Sequence, residues 1–313
     1  MSNTILVTGG TGFLGRELGL QLRQKYRVIL GGRNHQQNHY AGEMTECETI
    51  PLDVTNINSL REIVATYKPH TIIHAAATKY VHLSEVYPGE CVDVNILGSL
   101  NVARVAMESG VRDVIGISTD KATPPTKTMY GISKSAMEKL FILQNGKAAT
   151  RFMCVRFGNI AWSTGSVFPI WKGMLDKSGH ILSTGAHMRR YIFSVTEAAQ
   201  LVVTALENME RTAGKILSRK MKAAYMEDVL KLFVSRHGGT YEKIAPRKGE
   251  SVDEIMIGEV ELPHTTIVTL NGMEHYLIDY SRESSHALTE VVDTKTAERL
   301  SEREILALLK ERP

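Results

Sequence analysis

Short apolar runs alternate with longer amphipathic stretches through the first half of the chain. Ile5–Thr8, Arg27–Leu30, Thr49–Leu52, Thr71–Ala75, Val114–Ser118 and Arg151–Phe157 are short and apolar, and each predicts a buried strand. Between them Phe13–Lys25, Ile57–Tyr67, Val92–Ser109 and Tyr130–Gln144 carry apolar residues at helical spacing. The polar stretch from Gly31 to Glu48, with His35, Gln36, Gln37, Asn38 and His39, predicts a loop at its start. Strands and helices in alternation predict an α/β fold with a parallel, doubly wound sheet. After Asn159 the pattern turns irregular, broken by Gly165, Pro169, Gly173, Gly179 and Gly185. Helices are predicted again over Glu197–Glu207, Met226–Ser235 and Ser301–Lys310. This pattern predicts a cofactor domain over residues 1–157, with a segment at about 191–213 returning to it. A smaller, discontinuous substrate-binding lobe is predicted from the rest of 158–313.

Composition narrows the function. A chain of 313 residues with 43% apolar and 23% charged positions is an ordinary globular protein with a sizeable core. A net charge of +3 is too small to argue for nucleic acid, and suits an anionic nucleotide ligand. Cys47, Cys91 and Cys154 have no metal-ligand spacing, and an odd number makes a poor disulfide framework. Reduced thiols in a cytoplasm are expected. The apolar run at the N-terminus is too short for a signal peptide or a membrane span, so no membrane partner is expected. His35 and His39 have no convincing set of further ligands beside them, so no metal is expected.

Two features carry the chemistry. The first strand runs into Gly9-x-x-Gly12-x-x-Gly15, and a helix follows. Gly9 permits the tight turn, Gly12 lets backbone N–H groups approach a pyrophosphate, and Gly15 lets helix and strand pack closely. Thr11, Phe13 and Leu14 fill the same turn and are expected at the dinucleotide. At the end of the second strand stands Gly31-Gly32-Arg33-Asn34, with no acid for a ribose 2′-hydroxyl. Arg33 can pair a 2′-phosphate, which points to NADP rather than NAD. Asp53, followed by Val54, can accept from the adenine amine or cap a helix. Ala75, Ala76 and Ala77 are small enough for a cofactor to pass, or for plain core packing.

The second feature is Tyr130 with Lys134 one helical turn on. A tyrosine loses its proton near pH 10 and needs a cation beside it to act as a base at neutral pH. Lys134, with the nicotinamide charge, is expected to lower it. Upstream, Ser118-Thr119-Asp120-Lys121 follows the strand Val114–Ile117, where an open sheet presents its ligand crevice. Thr119 can hold a substrate oxygen beside Tyr130. Asp120 and Lys121 place an acid and a base in one mouth. Oxidation of a sugar C4 hydroxyl acidifies the C5 proton, and elimination of water then needs one group of each kind. A loop ion pair is the plainer reading of Asp120 and Lys121. His74 reads as a packed histidine, and Lys79, at the same strand end, can approach a substrate.

Thr119-Asp120-Lys121, Tyr130-x-x-x-Lys134 and Arg156-Phe157-Gly158-Asn159 resemble the nucleotide-sugar 4,6-dehydratases of the extended short-chain dehydrogenase/reductase superfamily. Gly131-Ile132-Ser133-Lys134 followed by Met137-Glu138-Lys139 is most similar to the UDP-N-acetylglucosamine 4,6-dehydratases of bacterial capsule and O-antigen pathways. The likeness covers most of the chain. It implies a Rossmann-type fold, a UDP-sugar substrate and a homo-oligomer. Tyr130 and Lys134 would drive C4 oxidation, Asp120 would release the C6 hydroxyl as water, and Lys121 would be the base at C5. Asn159 and Arg190 would meet the sugar or phosphate, though an exposed basic pair is as good a reading of Arg190. Arg247 and Glu250, in Arg247-Lys248-Gly249-Glu250, would meet the nucleotide. The loop Ala122–Met129 is about one residue longer than the family pattern, and some relatives carry Met at the Tyr position. Met129 beside Tyr130 therefore leaves the register open. The rivals are a 4-epimerase or 4-reductase using only Thr119, Tyr130 and Lys134, and a non-catalytic NADP sensor.

Overall fold

The computed structural model describes residues 3–245 and 251–310. Six parallel strands, β1 (Thr4–Thr8), β2 (Arg27–Gly32), β3 (Glu48–Pro51), β4 (Thr71–His74), β5 (Asp113–Ile117) and β6 (Arg151–Arg156), lie in the order 3-2-1-4-5-6. Ile216–Arg219 adds a seventh parallel strand beside β6, and the hairpin of Thr265–Leu270 and Met273–Ile278 extends that edge antiparallel. This is the Rossmann-type doubly wound sheet. Consecutive residues such as Leu6 and Val7, Ile29 and Leu30, and Ile72 and Ile73 are all buried, because helices cover both faces. Phe13–Leu22 packs with His35–Thr45 and Val195–Glu207; Ile57–Tyr67, Gly98–Glu108 and Met129–Gln144 pack together in sequence order. Strand order reverses between β1 and β4, which opens a crevice at their C-terminal ends.

Two segments depart from the reading of the sequence. The polar stretch after β2 is a helix, His35–Thr45, almost from its start. Its buried residues are Asn38, Ala41 and Thr45, so no apolar stripe announces it. Asn34 caps it by accepting from the Gln37 N–H, and Asn38 Nδ2 donates to the carbonyls of Gly32 (3.0 Å) and Ile50 (3.2 Å). The second segment, 92–109, opens with a π-helical turn, Val92–Leu97, before the α-helix Gly98–Glu108.

Residues beyond β6 also build three small sheets. Asn159–Ile160, Arg189–Phe193 and Ala223–Tyr225 form one, His180–Ser183 and Thr240–Lys243 the second, and Ile255–Ile257 with Val292–Asp293 the third. A second apolar cluster around Trp162, Phe168, Trp171 and Phe233 lies under the helices Val167–Ser178, Met226–His237 and Glu302–Lys310. Among the described residues no helix is long and apolar enough to cross a membrane.

Arg156, at the end of β6, is fully buried. Its guanidinium bonds both oxygens of Glu138 (2.9 and 2.7 Å) and both of Glu261 (2.9 and 2.8 Å), with the Met256 carbonyl and Thr123 Oγ1 at 3.0 and 3.1 Å. Burial works against this charge, but the two carboxylates outweigh it and hold the guanidinium well above its ordinary pKa. Replacing Arg156 with Met leaves two buried carboxylates without their cation. The expected loss is about 3–5 kcal/mol, read as a fall in the urea midpoint. Adding Glu138→Gln and Glu261→Gln to that variant is expected to recover part of it.

Candidate active site

The glycine turn is shaped by close backbone contacts. Gly9 has φ +68°, and a Cβ there would stand 2.7 Å from the Ala76 nitrogen. A Cβ on Gly15 would overlap the backbone of Gly10, so the helix Phe13–Leu22 sits directly on the turn. At Gly12 a Cβ would meet only the Gly9 oxygen within 4 Å. Gly12 is the N-cap of that helix and provides no side-chain cap, so the leading N–H groups are left for a ligand.

Every described residue expected at the cofactor lines one cleft of about 1380 Å³: Gly9, Thr11, Gly12, Phe13, Leu14, Gly15, Arg33, Asp53, Val54, Ala75, Ala76, Ala77, Tyr130 and Lys134. Arg33 is exposed at the end of β2 and makes no ion pair among the described residues. Asp53 does not cap the helix Ile57–Tyr67, whose cap is Asn56; its Oδ1 accepts from Thr55 N–H and Oγ1 at 2.9 and 2.8 Å. His74 is packed, with Nδ1 on Thr8 Oγ1 (2.8 Å) and Nε2 on Ser99 Oγ (2.9 Å). Burial, aided by the Lys134 charge, pushes it down to about 3, so it is neutral.

Thr119, Asp120, Lys121, Lys79, Asn159 and Arg190 line the same cleft. Thr128 caps the helix Met129–Gln144 by accepting from the Gly131 N–H at 3.1 Å. Tyr130 lines the cleft, and Met129 does not. Glycine at 131 is required, because a Cβ there would overlap the Lys121 carbonyl oxygen. The Tyr–Lys helix therefore rests directly on the turn that carries Asp120 and Lys121.

The electrostatics of the pair differ from the expectation. Burial pushes the Tyr130 phenol up to about 12; the Lys121 charge and the neighbouring Thr119 hydroxyl oppose this, and Asp120 reinforces it. Lys134 is not among these influences. It is buried, its Nζ rests on Met137 Sδ at 3.0 Å, and burial lowers it to about 8. A lysine that makes no ion pair among the described residues holds its proton less firmly when buried.

At the turn, Lys121 Nζ touches three acceptors: Glu254 Oε1 (2.8 Å), Asp120 Oδ1 (3.1 Å) and Asn159 Oδ1 (3.5 Å). Burial alone would lower Lys121, but Asp120 and Glu254 hold it above its ordinary value. Thr119 Oγ1 also donates to Asp120 Oδ1, at 2.9 Å, while Asp120 Oδ2 is buried with no partner among the described residues. Burial and then the Glu254 charge raise Asp120 above the usual carboxylate range. Burial pushes Glu254 the same way, but the Lys121 and Arg190 charges, with Asp120 beside it, prevail and hold it down. Two carboxyls on one lysine disfavour each other's ionisation, and here it is Asp120 that is raised and Glu254 that is held down.

Glu254 was not singled out in the sequence; an acid in a charged stretch far from Lys121 gives no local signal. Asn95 was also missed. Buried in the π-helical turn, its Nδ2 donates to Ser133 Oγ (2.9 Å) and to the Thr78 carbonyl (3.0 Å), tying the Tyr–Lys helix to the loop after β4. A π-turn beside a cleft is a common functional signal, but only coordinates reveal it. Arg190 is no exposed surface charge: it bonds the Ser251 and Val252 carbonyls (2.8 and 3.2 Å) and lies 3.4 Å from Glu254. Arg247 and Glu250 lie outside the described residues. Among the described residues no cluster of His, Cys, Asp and Glu is arranged to hold a metal ion.

A family model described as polysaccharide biosynthesis protein matches residues 5–272. The chain belongs to that family. The capsular polysaccharide biosynthesis protein CapD of Staphylococcus aureus is 32% identical to it over 295 residues, 88% of this chain and 49% of that protein. The chain thus spans about half the length of CapD. A family relative in Campylobacter jejuni, named UDP-N-acetylglucosamine 4,6-dehydratase (inverting), is 31% identical over 261 residues, 81% of this chain and 77% of that one. The X-ray structure of Pen from Bacillus thuringiensis has the same fold, with a TM-score of 0.89 at 23% identity, covering 98% of this chain and 97% of that one.

Gly131→Ala is expected to force the Tyr–Lys helix off the turn and to cost about 1–3 kcal/mol in a denaturant titration. Gly173→Ala, where a Cβ meets nothing within 4 Å, is the control and is expected to be neutral or stabilising.

Proposed function

We propose that this protein is an NADP-dependent nucleotide-sugar 4,6-dehydratase acting on UDP-N-acetylglucosamine, with a UDP-4-keto-6-deoxy-N-acetylhexosamine as product. The observation that carries the reading is the contact of Asp120 with Lys121 in the cleft that Tyr130 lines, with the Asp120 carboxyl raised by burial. An alcohol dehydrogenase or 4-epimerase has no use for an acid and a base at this place; an elimination needs both.

The chain's own residues divide the work. The amides at the start of the helix Phe13–Leu22 would hold the pyrophosphate, and Arg33 the 2′-phosphate. When bound, the nicotinamide would accept hydride from C4 and return it to C6. Tyr130, with Thr119 beside it, takes the C4 hydroxyl proton. Its high pKa in the ligand-free chain means that it acts as a base only once a positive charge is brought against it. Lys121 removes the C5 proton, which the C4 ketone has acidified. Asp120 donates its proton to the C6 hydroxyl, which leaves as water. Arg190 and Asn159 flank the same space and can hold the anionic sugar nucleotide.

Incubation with UDP-N-acetylglucosamine in deuterated water is expected to give a product lighter by one water, with deuterium at C5. Lys121→Ala is expected to oxidise C4 and accumulate reduced cofactor without losing water. Normal dehydration by that variant would overturn the assignment, and an unchanged mass with inverted C4 would mean an epimerase. For the cofactor, Arg33→Ala is expected to weaken NADP about 10- to 100-fold, as loss of a charged bond to phosphate does, and to leave NAD binding unchanged. Equal effects on both would point away from the 2′-phosphate.

A further inference from the structure

Lys121 presents a problem for its assigned role. Its Nζ has three protons to place and three acceptors around it, on Glu254, Asp120 and Asn159. That is the surrounding of an ammonium, which has no electron pair to offer C5. Its proton has to leave before it can act. Asp120 is assigned the part of the acid, and its Oδ1 already accepts from both Thr119 and Lys121. Asn159 has no acidic or basic function in this range. Glu254 Oε1 is the ionised oxygen nearest to Nζ.

Glu254 is held as a group with this task would be. Its backbone N–H donates to Thr294 Oγ1 (3.0 Å), and its carbonyl accepts from the Thr294 N–H (2.9 Å). The neighbouring Asp253 is bound by Arg189. The second carboxylate oxygen, Oε2, accepts from Asn159 Nδ2 at 3.2 Å. The charged and titratable groups facing it are Lys121 and Asp120 from the turn after β5 and Arg190 and Tyr191 from the strand Arg189–Phe193. Tyr130, from the Tyr–Lys helix, feels the same Lys121 and Asp120.

We propose that Glu254 is the positioning residue that keeps Lys121 protonated at rest and accepts that proton during turnover, so that Lys121 becomes a base only through Glu254. The inference rests on the dehydratase reading for the use of the base, and on the contacts alone for the pairing. An N–H bond of Lys121 breaks, the electron pair stays on nitrogen, and the proton bonds to Glu254 Oε1. Arg190 stays charged beside the now neutral pair. The nitrogen pair takes the C5 proton, the C5–H electrons form the C5–C6 double bond, and the C6–O bond breaks as Asp120 delivers its proton to the departing hydroxyl. C5 later regains a proton from Lys121, and Glu254 gives its own back to nitrogen. The proton lost with water is replaced overall by the one released from the C4 hydroxyl, so the site returns to its starting state.

The test follows the Lys121 side chain itself. In protein carrying lysine labelled with carbon-13 at Cε, the Lys121 resonance is identified by its loss in Lys121→Arg and titrated with pH. In the wild type it is expected to titrate above the surface lysines. In Glu254→Gln it is expected to fall by about one pH unit or more, a tenfold change in acidity, while Glu254→Asp, which keeps the charge, stays nearer the wild type. Deuterium entry at C5 is expected to be lost in Glu254→Gln, which leaves the ammonium no carboxylate to give its proton to, and to return in part in Glu254→Asp; full deuterium entry in Glu254→Gln overturns the proposal. An unchanged Lys121 midpoint in Glu254→Gln overturns the proposal. So does a wild-type midpoint at or below that of the surface lysines, a result that needs no variant to fold. If the midpoint falls while the wild type dehydrates no sugar nucleotide, the pairing stands and the dehydratase reading fails.

Discussion

The buried triad of Glu138, Arg156 and Glu261 is the interaction on which the geometry of the site depends. Burying a guanidinium is costly, and two bidentate carboxylates with a carbonyl and a hydroxyl are what make it tolerable here. A lysine has three donors and no planar fork, and could not serve both glutamates in this way. The triad gathers three parts of the chain that meet nowhere else in sequence. Glu138 belongs to the Tyr–Lys helix, and Thr123 follows the turn that carries Lys121. Met256 and Glu261 belong to the stretch that begins at Glu254. Arg156 thus sets the spacing between the groups of the candidate site without lining the cleft itself. A network so fully satisfied specifies a single arrangement, which plain apolar contacts would specify less sharply.

That division explains which parts of the molecule could be read in the sequence. The strands of the parallel sheet are legible because both faces are buried and each reads as an apolar run. The glycine turn is legible because steric demand acts within seven residues. The Tyr–Lys pair and the Asp–Lys turn are legible because each is a local constellation with a defined spacing. The helix after β2 was not, since Asn38 meets its needs through backbone carbonyls and mimics a surface residue in composition. Glu254 and Asn95 were hidden for a different reason. Their partners lie far away in the chain, and nothing within a few residues of either distinguishes it from a solvated polar side chain. Arg156 was quoted for its neighbourhood, but its buried role is a matter of three-dimensional contacts only.

The electrostatics of Tyr130 and Lys134 carry a related lesson. Helical spacing correctly puts both on one cleft, yet spacing says nothing of solvation. Burial dominates in both cases, and it disfavours the charged form of each: phenolate for Tyr130, ammonium for Lys134. In the ligand-free chain the phenol is thus neutral, and the Lys134 ammonium gives up its proton more readily than an exposed one. Charge in the pocket is concentrated instead at Lys121, Arg190 and Glu254, where opposite signs are in contact and protected from water. A cleft organised in this way is poorly suited to deprotonating an alcohol until a cationic ring enters it. The proposed reaction would then be ordered by electrostatics, with cofactor needed before the phenol can act.

The same contrast bears on how a dehydratase and an epimerase can share one fold. In the proposed reaction, oxidation at C4 would need only the tyrosine on a helix that packs against the sheet. Elimination adds a demand that one helix cannot meet, because an acid and a base have to coexist without neutralising one another. Adjacent on a turn, Asp120 and Lys121 alone would form a simple ion pair, with the carboxylate charged and the amine protonated, and neither would be in the state the reaction needs. A third charge resolves this. In the proposed reaction Glu254 would carry the negative charge, so that Asp120, raised by burial, could act as the acid while Lys121 acts as the base. The residue that decides that second half would then come from the later part of the chain, which the buried arginine triad brings to the turn.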